Sequence, residues 1–253
     1  MKILVVIAIF VTINYFSLST VAVAAPQRAV KAAADVLALS QQITKNYIYI
    51  GQDIQIDKAT ARLTKSMKQL AGAIKVIESN TTDVDAQNMV RFLKFTYSEI
   101  AKVVDLPYSK ESGALMIDYS ETLLEGAESL TQRWSKKTDK QGFIELERQA
   151  LLVERIAKYY IAHRAGFVDF NAVRQLETAV EQFESGLVKI NAQKKYYPVW
   201  LHPEIEKLNR HWPITKDFYL GVEKNDLPLI VFVYTEYIRK AVDVLLTYHA
   251  KEM

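Results

Sequence analysis

The chain superimposes on itself. Shifted by 113 residues, Ile43 falls on Ile156, Lys45 on Lys158, Tyr47 on Tyr160, Ile48 on Ile161, Leu63 on Leu176 and Ile77 on Ile190, without a gap. A shift of 115 then pairs Leu93 with Leu208, Tyr97 with Trp212, Tyr119 with Tyr234, Glu121 with Glu236 and Leu130 with Leu245. The two-residue slip falls between the second and third helices of each half, where a loop absorbs an insertion. Two units of one plan follow, 27–138 and 140–252.

Within each unit the periodicity is helical. Leu63, Met67, Leu70, Ile74 and Ile77 are spaced 4, 3, 4, 3, and Leu176, Val180, Phe183, Leu187 and Ile190 repeat the spacing, which is the seam of a bundle. With 8 Gly and 6 Pro in 253 residues there are too few turn formers for a β-rich chain. The expected fold is all-α: two tandem antiparallel four-helix bundles after an N-terminal signal peptide. Helices are expected over about 28–51, 57–79, 84–104, 110–135, 142–165, 170–194, 203–220 and 227–251. Asp57, Asp169 and Asp83 with Asp85 are candidate caps, and Pro203 suits a first turn. Pro213 should kink or shorten the seventh helix. The polar stretch 136–142 is the expected boundary between units.

Residues 1–24 read as an address. Met1 and Lys2 precede an apolar run from Ile3 to Val23, and Ala22-Val23-Ala24 fits a signal peptidase site. The mature chain is therefore expected in the periplasm, and everything after the signal is expected to be soluble. Left uncut, the same run, roughly 20 residues, is long enough to anchor the protein in a membrane.

Several chemistries lack their residues. The chain has no Cys, which removes disulfides, thiolate metal sites and a cysteine nucleophile. Its four histidines, His163, His202, His211 and His249, are scattered, and no Glu-x-x-His stands where a di-metal bundle needs one. There is no Gly-x-Ser-x-Gly, His-Glu-x-x-His or phosphate-binding glycine loop. A net charge of +3 does not argue for nucleic acid. The expectation is a non-enzymatic protein without metal, cofactor or nucleic-acid partner.

The start of each unit carries a motif. Leu39-Ser40-Gln41-Gln42-Ile43-Thr44-Lys45-Asn46-Tyr47, and Arg148-Gln149-Ala150-Leu151-Leu152-Val153-Glu154-Arg155-Ile156-Ala157-Lys158-Tyr159-Tyr160, resemble the first helix of the PilJ-type sensory domain. That domain stands at the N-termini of type IV pilus chemotaxis transducers and nitrate/nitrite sensor kinases. Its pattern is approximately Asn-x-Ala-Gly-Arg-Gln-Arg-Met-Leu-Ser-Gln-Arg-Ile-Ala-Lys. The seam of the second helix and the aromatic of Leu208-Asn209-Arg210-His211-Trp212 fit as well, so the resemblance covers nearly the whole mature chain, twice. It implies a four-helix periplasmic sensory bundle, usually dimeric. In the nitrate sensors the arginine before Met-x-Ser holds the anion at the dimer interface, and the aligned positions here are Leu37 and Ala150. Losing a charged hydrogen bond from each half costs about 3–6 kcal/mol, roughly two to four decades of affinity, so nitrate recognition in that manner is not expected.

Other residues remain candidates. Arg148, Arg155 and Lys158 on one helix and Lys45 on its counterpart, with Ser40, Gln41 and Gln42, can be drawn as a residual anion pocket between the two first helices, or as flanks of amphipathic helices. Tyr196, Tyr197 and Trp200, beside Lys194 and Lys195, suit a partner surface or the capping of the bundle end. Two functions follow: a sensory-type module that takes a small ligand and reports to a membrane-bound receptor, or an interaction protein with a decayed site that docks on an envelope complex. In either, the tandem is expected to be a monomer that imitates a dimer within one chain.

Overall fold

The heptad-like seams are realised as helices. A computed structural model describes residues 27–135, 141–167, 170–223 and 227–251, and all regular elements among these described residues are helical. They are α1 (Gln27–Gly51), α2 (Ile56–Ser79), α3 (Val84–Val104), α4 (Lys110–Ser135), α5 (Gln141–Arg164), α6 (Phe170–Gln193), α7 (His202–Leu220) and α8 (Pro228–Lys251). Two 3-10 turns, Lys194–Tyr196 and Val199–Leu201, lie between α6 and α7. Every helix end falls within one residue of its expected position. The signal segment, most of the 136–142 linker and the candidate cap Asp169 lie outside the described residues. No described helix is long and apolar enough to cross a membrane.

The local signals mostly act as their chemistry dictates. Asp83 caps α3, its carboxylate accepting the Asp85 amide at 3.2 Å. Pro203 occupies the first turn of α7, where its missing N–H costs nothing. Asp57 does not cap α2: the N-cap position belongs to Gln55, held left-handed at φ 49°, and Asp57 sits in the first turn, where it faces the positive end of the helix dipole. Pro213 lies inside α7, which nonetheless runs on to Leu220 and is the shortest of the described α-helices. Gln141 and Gly142, expected in the linker, form the first turn of α5.

Packing makes α1 and α5 the central helices. α1 packs on α2, α4 and α5, and α5 on α1, α6 and α8. In α1, 16 of 25 residues are buried, against 7 of 24 in α2, so α1 is enclosed nearly all round rather than along one stripe. Small residues, Ala29, Ala32, Ala33, Ala34 and Ala38, let its neighbours approach closely. One apolar cluster draws on α1–α4, with Leu63, Leu70, Ile74 and Ile77 inside it and Met67 at its margin. A second draws on α5–α8, where Phe183 meets Trp212 with ring centres 4.3 Å apart. A third, Ile48, Tyr49, Ala59, Ile161, Ala162 and Phe232, ties α1 and α2 to α5 and α8, with the Phe232 ring edge-on to Tyr49 at 4.9 Å.

Phe183→Ala should destabilise the protein by about 3–5 kcal/mol in urea denaturation, because it removes an enclosed ring from the second cluster. Phe95→Ala, at an exposed position of α3, should stay within about 0.5 kcal/mol of the parent.

Candidate functional site

Where α1 meets α5, the apolar packing gives way to a polar layer. Lys45 is 1% exposed and Lys158 is 0% exposed, and ammonium groups cannot stay charged there without carboxylates. Lys45 Nζ lies 2.6 Å from Glu154 Oε2, off the hydrogen-bonding direction, and 3.4 Å from Glu236 Oε1 on α8. Lys158 forms an ion pair with Glu121 on α4 and donates to Ser120 Oγ at 3.2 Å. Each lysine therefore reaches a glutamate on the last helix of the other half.

An arginine joins each glutamate. Arg155 Nη2 lies 3.3 Å from Glu121 Oε2 and donates to Gln175 Oε1 at 3.1 Å. Arg62 Nη2 lies 2.8 Å from Glu236 Oε2. Shifted by 113, Gln42 corresponds to Arg155 and Arg62 to Gln175, so the guanidinium comes from α5 at one glutamate and from α2 at the other. Burial works to raise the Glu121 pKa, but Lys158 and Arg155 outweigh it and hold the carboxyl below its ordinary value. Burial, against the pull of Glu121, pushes Lys158 down to about 8.

The neutral candidates serve the same layer. Ser40 donates to the Leu37 carbonyl at 2.8 Å and accepts from Gln41 Nε2 at 3.0 Å. Gln42 donates to Glu154 Oε1 at 3.1 Å and accepts from Ser66 at 2.8 Å. Arg148 stands apart, exposed on α5. Of the two positions aligned with the nitrate-binding arginine, Leu37 is half-buried and Ala150 is enclosed; the Ala150 carbonyl accepts from Arg239 of α8 at 3.1 Å. The structure thus brings Lys45, Lys158, Arg155, Ser40 and Gln41 to one interface, where the cations face glutamates rather than an open anion pocket. Glu121, Glu154, Glu236 and Arg62 belong to the layer as well, although the sequence reading does not single them out. The identity of Glu121 and Glu236 across the repeat is the one sequence signal that points to two of them.

The aromatic connection divides. Tyr197 is buried against Tyr248 and His249, whose Nε2 is 3.0 Å from its hydroxyl, and caps the end of the helices. Tyr196 and Trp200 are 76% and 63% exposed, with Val199 beside them, and form the free apolar surface.

A groove of about 820 Å³ opens beside the polar layer, walled by α1, α2 and α8, with Glu147 of α5 at its base. Lys31, Asp35, Gln42, Arg62, Lys65, Arg239 and Asp243 line it. Glu147 is 8% exposed and accepts no hydrogen bond from a described residue. Burial, aided by Asp35 and opposed by Lys31 and Arg239, raises its pKa from 4.5 to about 7. Among the described residues no three His, Asp or Glu gather as metal ligands would. Comparisons with protein-family models, curated proteins and solved structures find no match.

Lys45→Met should cost about 3–5 kcal/mol, since it strands Glu154 without its cation; adding Glu154→Gln, the residue Gln41 supplies at the equivalent position, should recover most of the loss. Chemical denaturation of the four proteins of that cycle measures both. Glu147 binds its proton more tightly folded than unfolded, so it stabilises the protein below pH 4.5 and that contribution is lost as the pH rises to about 7. Glu147→Gln should remove this slope and leave the variant more stable than the parent at pH 8, by about 3 kcal/mol at most. Thermal unfolding across pH 4–8 checks it.

Proposed function

We propose that this is an exported, non-enzymatic binding protein of the PilJ sensory kind, in which two four-helix bundles, α1–α4 and α5–α8, stand in tandem and dock through α1 and α5. One observation carries this reading: the reciprocal exchange of Lys45 with Glu236 and Lys158 with Glu121. A two-fold interface between identical subunits has this signature, residue i meeting j while j meets i. One chain holding both halves gains a high effective concentration of each for the other and needs no second copy. The tandem takes a small ligand beside this interface and reports its occupancy, from the periplasm, to a membrane-bound receptor. Tyr196, Val199 and Trp200 offer the contact surface for that receptor.

A second reading has one observation in its favour. The cations at the α1–α5 interface are already matched by glutamates, as they would be in a docking protein that has lost its ligand and keeps only its shape.

Light scattering on the mature protein should give a monomer, and a stable homodimer through α1 or α5 would overturn the internal dimer. A thermal-unfolding panel of nitrate, nitrite, other small anions, amino acids, short peptides and metabolites decides between the readings. A ligand at about a hundred times its Kd adds roughly 2.7 kcal/mol, several degrees for a protein of this size. A shift in the midpoint is expected, and its absence across the panel would leave the docking protein.

A further inference from the structure

The two halves begin at the same end of the molecule. α1 and α5 run in one direction, since Lys31 of α1 interacts with Glu147 of α5, Gln42 bonds Glu154 at 3.1 Å, and Ile48 and Tyr49 share an apolar cluster with Ile161 and Ala162. α6 and α8 run against α5: Lys189 of α6 reaches Glu145 at 3.0 Å, and Asp243 of α8 acts on Glu147. The α6–α7 connection, 194–201, therefore lies at the end where α1 and α5 start. In the sequence the apolar run Ile3–Val23 precedes α1 with three residues between them.

The halves close that end differently. The first uses the short polar Asn80–Asp83, where Asp83 pairs with Arg133 at 2.7 Å. The second uses the two 3-10 turns, pinned from beneath by the buried Tyr197 and Leu201. Tyr196, Val199 and Trp200 are held outward as a result, Val199 being 79% exposed. Their neighbours steady them: Lys195 Nζ lies 4.9 Å from the centre of the Tyr196 ring, and Trp200 stands edge-on to Tyr248 at 6.0 Å. The charge around them has one sign. No Asp or Glu occurs between Glu184 and Glu204, whereas Lys189, Lys194 and Lys195 do. Lys194 bonds Glu206 at 3.1 Å, and Lys195 pairs with no carboxylate among the described residues.

Whatever meets this tip must take rings and lysines together, without a pocket. The core of a protein interface is depleted of lysine, and a stable one needs roughly 20–30 residues a side, far more than this tip presents. The boundary of a bilayer accepts the combination as it stands: Trp and Tyr sit at the level of the headgroups, an aliphatic side chain enters beside them, and lysines meet lipid phosphates. At the opposite end, exposed Leu106 and Leu220 stand at separate connections, the ordinary scatter of apolar side chains.

We propose that the 194–201 connection is an interfacial anchor that seats this end of the molecule on an anionic lipid bilayer, with Tyr196, Val199 and Trp200 in the headgroup boundary and Lys194 and Lys195 against lipid phosphates. Contact is made at one corner, because the first half presents Asp83 and the exposed Asp85 at this end, and anionic lipids repel both. The assignment rests on the reading of an exported protein that reports to a membrane-bound receptor, and adds that the tip meets the bilayer around that receptor.

The test is flotation of the mature protein, residues 25–253, with phosphatidylcholine vesicles made with and without phosphatidylglycerol. The protein is expected to float with the anionic vesicles, and its tryptophan emission to shift to the blue as Trp200 leaves water. Trp200→Phe should abolish that shift and keep most of the binding. Trp200→Ala and Tyr196→Ala should each weaken binding about tenfold, and Lys195→Gln about fivefold, the share of one lysine near an anionic surface. Phe95→Ala should bind as the parent does. Unfolding midpoints without vesicles should match the parent's in every variant, which separates lost binding from lost folding. Absence of flotation, equal flotation with neutral vesicles, or full binding when Tyr196→Ala and Trp200→Ala are combined would overturn the proposal. If the vesicles fail while the small-molecule panel shifts the midpoint, the anchor falls and the sensory reading stands. If the panel is silent while vesicle binding depends on Trp200, the anchor stands and the sensory reading falls.

Discussion

Lys45 and Lys158 decide how the two halves can meet. An ammonium group removed from water costs several kcal/mol unless a carboxylate comes with it, and each of these lysines finds one only on the opposite half. The apolar contact around Ile48, Tyr49, Ile161 and Phe232 supplies adhesion, but a sliding apolar face has no unique register. The crossed pairs supply it. A shift of α1 along α5 by one turn would separate Lys45 from Glu154 by about 5 Å and leave two buried charges unmatched. Burial therefore turns a modest attraction into a strict geometric requirement, which is the best-attested use of ionic groups inside a fold.

That requirement explains why α1 looks so unlike a surface helix. It has to serve the core of its own half and the contact with the other, and Ala32, Val36 and Ile43 face the first task while Lys45, Ile48 and Tyr49 face the second. α5 has the same double duty, with Leu146, Val153, Ile156 and Tyr160 in its own core and Ile161 and Ala162 against α1. Ser40, Gln41 and Thr44 are tolerable in so enclosed a helix because nearby carbonyls, those of Leu37, Ser120 and Met116, take their protons. The interface is thus a polar layer bounded by apolar clusters, in which the cations meet carboxylates while Gln41 Oε1, Asn46 Oδ1 and Arg155 Nε are enclosed without a hydrogen-bond partner.

Helix ends were legible because they are written locally. Asp83 must precede an unpaired amide, Pro203 must open a first turn, and a seam of Leu and Ile every three or four residues admits one period. The left-handed Gln55 that starts α2 carries no such mark, since glutamine has no special liking for positive φ, whereas the nearby Asp57 has the chemistry of a cap. The site was half legible. Lys45 and Lys158 stand out by their identity across the repeat, yet a lysine on an amphipathic helix reads as solvated unless the far side of the helix is known to be covered. Glu121 and Glu236 carry the same repeat identity and read as solvated for the same reason. Glu147 and Arg62 stand opposite Ala34 and Gln175, so no identity across the repeat points to them.

The absence of counterparts is itself informative about what a tandem permits. Two identical chains around a two-fold axis must carry every substitution twice, so a groove on one face is matched by the same groove on the other. A chain that contains both halves is free of that constraint, and its departures from symmetry can be sorted by what they touch. Gln42 with Arg62 against Arg155 with Gln175 is a neutral exchange, because one guanidinium still reaches each glutamate. Glu147 for Ala34 and Arg239 for Leu124 are of another kind, for they add charge to one face and nothing balances them on the other. A buried carboxylate without an ion-pair partner weakens a fold that would be content with alanine, and if the chain is the internal dimer proposed above, it carries that cost on one side alone. Asymmetry of this sort is concentrated on the α1–α2–α8 face, where Glu147 and Arg239 line the groove, and is nearly absent from the Lys–Glu pairs of the interface, which both halves keep.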